Sequence, residues 1–233
     1  MNKWELVERV DVPGTDSVMS LMRRAHELAI AVDGRQLMSS LVHGSEDALA
    51  ELACARVGAR PGARFLIGGL GMGFTLAAAL RGLRPDAEVV VAEVVPGVVA
   101  WNRGPIGPVA GHPLDDPRAS VVEGDVADRI RGATEAWDAI LLDVDNGPTG
   151  LTRPTNNWLY GWEGLEAAHR ALRPGGVLAV WSAAPDNAFT RRVQRAGFAV
   201  TPIEVRSRGA KGGHRHVVWV ATRSASLSPR GRV

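Results

Sequence analysis

The sequence predicts an α/β fold: a doubly wound, seven-stranded, mostly parallel sheet of Rossmann-like type, preceded by a small N-terminal β-hairpin and helix element. Three observations point there. From about Ala63 onward, short strand-like runs alternate with helical patterns. The runs are apolar on successive residues, as in Ala139-Ile140-Leu141-Leu142, so both faces of each strand need cover. A glycine-rich turn follows the first of them. Strands apolar on both faces belong to parallel sheets with helices on either side.

Taken in order, the chain opens at Met1 to Val10 with charged and apolar residues intermixed and no continuous apolar stretch of a leader segment, so a cytoplasmic location is the expectation. Leu28 to Met38 reads as two short strands around an Asp33-Gly34 turn, a strong hairpin signal. Ser45-Glu46-Asp47 then opens a helix running through Ala55, with Ser45 as N-cap. Strands are expected at Arg64–Gly68, Glu88–Val94, Ser120–Glu123, Ala139–Asp143 and Val177–Ser182. The helices between and after them are Phe74–Leu83, Gly97–Arg103, Val126–Arg131, Leu159–Leu172 and Asn187–Ala196. Arg173-Pro174-Gly175-Gly176 stops a helix and turns into the next strand. Two late strands, Val200–Ser207 and His214–Ala221, are too close for a crossover helix and should pair antiparallel. This divides the chain into an N-terminal element (1–60), a nucleoside-binding domain (61–223) and a Ser/Arg/Pro/Gly-rich tail (224–233) expected to be disordered.

Composition narrows the function. Hydrophobic residues make up 45% and charged residues 22%, ordinary for a globular protein, and no apolar run approaches the roughly eighteen residues of a membrane span. Net charge is only +2, and the densest basic stretch, Arg206 to His216, is short and glycine-rich; no nucleic-acid or membrane partner is expected. The single cysteine, Cys54, lies in an apolar helical pattern and reads as an inert buried thiol.

The chemistry gathers at successive strand ends. Gly68-Gly69-Leu70-Gly71-Met72-Gly73 joins a strand to a helix, so backbone N–H groups can approach a ligand closely. Its spacing fails the dinucleotide fingerprint and fits a nucleosyl-methionine binder, with S-adenosylmethionine as the cofactor expected. Glu93, ending the next strand, can accept both ribose hydroxyls. Asp125 and the N–H of Val126, one strand further, can meet the adenine edge. Each acid also has a plainer reading as a solvated group or helix cap.

These residues resemble the spermidine synthase (polyamine aminopropyltransferase) family, within the class I S-adenosylmethionine-dependent methyltransferase fold, from about Leu28 to Ala221. The resemblance implies that Gln36, in Asp33-Gly34-Arg35-Gln36, contacts the nucleoside, that Glu93 and Asp125 are the ribose and adenine acids, and that the protein is a homodimer. Asp138-Ala-Ile-Leu-Leu-Asp143 resembles the family's Tyr-Asp-x-Ile-Ile-x-Asp strand. Two departures stand out. Gly71 occupies the place of the acid that, in the family, holds the amine of decarboxylated S-adenosylmethionine, and Asn146 replaces the second acid after the strand, with Asp145 shifted by one. A carboxylate beside the methionine carboxylate would repel it by a few kcal/mol, ~4 at an effective dielectric near 20, so its absence permits ordinary S-adenosylmethionine.

The expectation is therefore methyl transfer to a small-molecule acceptor, an amine among the candidates, by in-line displacement with Asp143 as general base. Asp145 shares that task or merely forms part of an Asp145-Asn146-Gly147 turn. Aminopropyl transfer from decarboxylated S-adenosylmethionine is the alternative, followed by 3-amino-3-carboxypropyl transfer and a non-catalytic nucleoside-binding protein. Trp158, Tyr160 and Trp181 are candidates to line the acceptor pocket, with Trp162 in the core; His43 is a lone histidine near a helix start, and no metal set is legible.

Overall fold

The computed structural model describes residues 3–144 and 157–224. Four antiparallel strands come first: β1 (Glu5–Asp11), β2 (Val18–Arg24), β3 (Glu27–Val32) and β4 (Arg35–Ser39), paired in that order. The Asp33-Gly34 turn forms as read, with both residues at positive φ (49° and 79°), the geometry of a two-residue hairpin turn. The carboxylate of Asp33 accepts from the N–H of Val18 at 2.9 Å, tying the turn to β2. β1 and β2 go beyond the expected hairpin. Six of the seven residues of β1 are exposed, so the alternation that marks a half-buried strand is missing from its sequence.

α1 (Gly44–Val57) follows, and here one expectation fails. The N-cap is His43, and Ser45 lies inside the first turn, 1% exposed, with its hydroxyl donating to a Glu46 carboxylate oxygen at 2.6 Å. The cap reading assumed that the hydroxyl faces the helix's own N–H groups; packing turns it elsewhere.

The larger sheet then assembles from β5 (Arg64–Gly68), β6 (Glu88–Glu93), β7 (Ala119–Glu123), β8 (Trp137–Leu142), β9 (Leu172–Ser182), β10 (Phe198–Arg206) and β11 (Arg215–Arg223). Its order is β10-β11-β9-β8-β5-β6-β7, parallel except that β11 pairs antiparallel with both β9 and β10. This is the doubly wound, mostly parallel seven-stranded sheet expected. β8 is buried at every position, as its unbroken apolar run requires. One face carries α1, α2 (Phe74–Gly82) and α3 (Pro96–Arg103); the other carries α4 (Val126–Arg131), α5 (Asn157–Tyr160), α6 (Trp162–Ala171) and α7 (Asn187–Arg195).

At the N-terminal end of β8, buried Asp138 accepts from Arg60 at 2.9 Å, from Arg173 at 2.6 Å and from the N–H of Arg64 at 2.9 Å, joining the loop after α1 to the starts of β5 and β9. The single expected helix Leu159–Leu172 is broken at Gly161 into α5 and α6. That break resets the helical phase and leaves Trp162 47% exposed instead of in the core. No helix among the described residues is long and apolar enough to cross a membrane. The expected tail from residue 225 onward lies outside the described residues.

Candidate active site

The strand order reverses direction between β5 and β8, and the carboxyl ends on either side of such a switch form the crevice where open α/β sheets bind ligands. A cleft of about 730 Å³ opens there, between the large sheet and the N-terminal one. Gly69, Gly71, Glu93, Asp125, Val126 and Asp143 line it from below, and Gln36 and Met38 from the N-terminal sheet. The size is ordinary for a small-molecule site.

The glycine turn is shaped for close approach. Gly69, at φ +87°, lies so close to the Asp143 carbonyl that a Cβ would collide with it. Gly71, at φ +52°, is covered by the Met38 thioether, whose Cε would stand 2.8 Å from an added Cβ. Asn102 of α3, 2% exposed, supports the turn by donating to the Gly71 carbonyl at 2.8 Å. Gly68 and Gly73 stand back from the cleft: Gly68 packs on Val126, and Gly73 caps α2 beside Asn102.

Glu93 binds the turn to the next strand end. Its two carboxylate oxygens accept from the N–H groups of Leu70 at 2.9 Å and Val95 at 2.8 Å, leaving further lone pairs for ligand hydroxyls. Burial pushes its carboxyl above the ordinary range, against these hydrogen bonds. Asp125 does cap α4, accepting from Ala127 N–H at 2.8 Å, and it also lines the cleft.

At the other end of the cleft sits Asp143, just beyond β8. Burial raises its carboxyl to about 6, although the Thr75 hydroxyl donates to it at 2.7 Å. The same hydroxyl lies 3.5 Å from the backbone carbonyl of Glu46, in the first turn of α1. Burial and the nearby Asp143 carboxylate push Glu46 to about 7. Two carboxyls therefore share one corner, and among the described residues no guanidinium or ammonium pairs with either.

The aromatic candidates divide. Trp158 lies on the opposite face of the sheet, with the Arg131 guanidinium 4.0 Å over its ring, and Tyr160 donates to the Val144 carbonyl at 3.1 Å while edging onto Phe189. Neither lines the cleft, though Tyr160 supports a residue that does. Trp181, late in β9, meets the His216 ring edge-on at 4.8 Å. His43 stacks on Phe74 at 4.0 Å and holds Asp47 at 2.7 Å, a structural pairing. Cys54 is half-buried, and burial lifts its thiol to about 11, which fits an inert group. Asp145 and Asn146 lie outside the described residues.

Four residues around the cleft were not singled out from the sequence: Glu46, Thr75, Met38 and Asn102. Only Asn102, a poor helix former inside a helical pattern, carried a local signal.

The architecture defines a class: a doubly wound sheet of the class I methyltransferase type with a cleft at its switch point. Comparison with known proteins narrows it. No family model matches the chain. A polyamine aminopropyltransferase of Mycobacterium tuberculosis is 35% identical over 146 residues, covering 58% of this chain and 27% of that protein. Polyamine aminopropyltransferase 1 of Streptomyces coelicolor is 30% identical over 156 residues, covering 62% and 28%. The crystal structure of spermidine synthase from Thermotoga maritima superposes with a TM-score of 0.74 at 20% identity, covering 95% of this chain and 74% of that one. The chain is thus similar to polyamine aminopropyltransferases over a little more than half of its own length, and it shares its fold with spermidine synthase. The matches span little over a quarter of the length of these curated relatives.

The expectation of methyl transfer is overturned by the same relatives, which are named for aminopropyl transfer. Its physical argument was too weak. A missing carboxylate at Gly71 says what the turn tolerates, not which donor it selects; here the vacated space is taken by Met38. Among the described residues, the second carboxyl beside Asp143 is Glu46 of α1.

Proposed function

We propose that this chain is a transferase that moves an aminopropyl group from decarboxylated S-adenosylmethionine to a small amine. The observation that carries this reading is the Glu46–Asp143 corner: two half-buried carboxyls at the end of a nucleoside-shaped cleft, with no protein cation paired to them among the described residues. Such a pair is disfavoured alone and is relieved by a bound ammonium group. The amine nitrogen, once it gives up a proton, attacks the propyl carbon attached to sulfur. The C–S bond breaks, its electrons go to the sulfonium, and a neutral thioether nucleoside leaves. Asp143 is the base that takes the proton, and Glu46 holds the second charge of the acceptor. Gln36, Gly69, Gly71, Glu93, Asp125 and Val126 cradle the nucleoside, with the N-terminal element (1–60) as a wall over the main domain (61–223).

The test is incubation with decarboxylated S-adenosylmethionine and a short diamine such as putrescine, with products read by mass spectrometry. An aminopropyl mass gain on the diamine, together with methylthioadenosine, is expected. Turnover of S-adenosylmethionine to a methylated product instead would sink the reading. A cytoplasmic homodimer belongs to the same reading, and sedimentation of the purified chain checks the dimer.

A further inference from the structure

We propose that His216 is the proton outlet of this site, taking the proton released at the Glu46–Asp143 corner through the hydroxyl of Ser45. This inference rests on the reaction proposed above, in which every turnover converts one ammonium-bearing acceptor and one sulfonium into an alkylated ammonium, a neutral thioether and one surplus proton. Asp143 lines the cleft and Glu46 is half-buried beside it, so the surplus proton needs a way out before the next acceptor binds.

The geometry supplies a path outward from the Glu46 carboxyl. Thr75 ties the two segments together, its hydroxyl 2.7 Å from the Asp143 carboxylate and 3.5 Å from the main-chain carbonyl of Glu46, and the Glu46 carboxyl itself lies close enough to feel the Asp143 charge. The Glu46 carboxylate accepts from Ser45 Oγ at 2.6 Å, and Ser45 Oγ lies 2.9 Å from Nδ1 of His216. Ser45 is 1% exposed, so these two groups, not water, are the partners of its hydroxyl. His216 is near the start of β11, half-buried and packed edge-on against Trp181.

The steps balance. The proton taken up by Asp143 is shared with the neighbouring Glu46 carboxyl. A protonated Glu46 then gives its proton to Ser45 Oγ while Ser45 passes its own to Nδ1 of a neutral His216. The products are a Glu46 carboxylate accepting from Ser45, as observed, and an imidazolium that loses its Nε2 proton to solvent; tautomer exchange of the ring with solvent then frees Nδ1 for the next turnover. Burial, helped by His214 two residues earlier, holds the His216 ring below the usual histidine range, so it is neutral and able to accept near pH 7. The groups facing it are Ser45 and then Glu46 on α1, Trp181 on β9, His214 on its own strand, and Val205 as its register partner on β10.

The decisive experiment joins an NMR titration of the His216 ring with steady-state kinetics on the full chain. Glu46→Gln and Ser45→Ala are each expected to move the His216 titration midpoint by about half a pH unit or more. This readout needs no turnover, so it judges the relay even if the aminopropyl reaction itself fails. In the transfer assay, Ser45→Ala should lower kcat by about tenfold or more with KM for the diamine within about twofold. His216→Ala should lose a similar factor and regain it with added imidazole, which should not rescue Ser45→Ala. An unmoved His216 titration in both variants, or a wild-type kcat for Ser45→Ala, would overturn the relay. Absence of any aminopropyl transfer by the wild-type chain would instead overturn the reaction.

Discussion

The two ends of β8 carry the same residue in opposite electrostatic settings. Asp138, at the entry to the strand, is met by two guanidinium groups and a backbone N–H, all within 2.9 Å. Asp143, just past its exit, receives one neutral hydroxyl, and its charged neighbour is another acid. A buried carboxylate with its counter-ions in place is finished, and it holds elements together. One without them is costly unless a ligand brings the missing charge, which makes it a candidate for function. Five positions along the sequence separate a structural clamp from a proposed catalytic base.

Asp143→Asn tests the contrast with the largest effect. It keeps the shape and the Thr75 contact but removes the base, so kcat should fall by ~10²–10⁴, with nucleoside affinity unchanged by calorimetry. Full activity in Asp143→Asn would erase the distinction between the two ends. Asp138→Ala should do the reverse. Stranding Arg60, Arg173 and the Arg64 N–H should cost about 3–5 kcal/mol in denaturant unfolding, while kcat per folded molecule stays near wild type. A loss of turnover without a loss of stability would break the comparison from the other side.

Glu46→Gln sharpens the acceptor side. Losing one charge-assisted contact to an ammonium group should raise KM for a diamine by ~10–100-fold, about 1.5–3 kcal/mol, and leave donor binding intact. Calorimetric titration with the nucleoside alone separates the two.

The position of the proposed donor side of the cleft was legible because its pieces are local. A glycine turn, an acid at the end of the next strand and Gly124-Asp125-Val126 after the one following each sit at a strand end, where the fold itself dictates proximity. The acceptor side was not, because it is made by packing. Glu46 and Asp143 belong to separate elements that meet only when α1 settles on the sheet. In the sequence, Ser45-Glu46-Asp47 looked complete as a helix start, and that plain explanation hid both the second acid and the Ser45–His216 contact. Met38 was invisible for a similar reason: a hairpin residue over Gly71 leaves no trace in the turn's own spacing. Trp162 failed differently. Helical spacing placed Trp162 in the core only so long as one helix ran through Gly161.

The smallest expected effect is on stability, and its sign follows from the same imbalance. Asp143 and Glu46 titrate at about 6 and about 7 in the folded chain, above their ordinary values of 3.8 and 4.5. Between those limits the folded state keeps protons that the unfolded chain has released. Stability therefore declines as pH rises through that window and levels off above it. Glu93, also raised, adds in the same direction, whereas His169 and His216, both depressed, stabilise the folded state as pH rises past the ordinary histidine value. The difference between wild type and Glu46→Gln isolates the corner from these other groups. Thermal melts at pH 5 and pH 8 should show the variant gaining on the wild type at the higher pH. A saturating diamine should abolish that gain, because a bound cation supplies to the wild-type pair the charge that Arg60 and Arg173 supply to Asp138. If the two proteins melt in parallel at both pH values, the Glu46–Asp143 corner carries no uncompensated charge, and the contrast between the two ends of β8 does not hold.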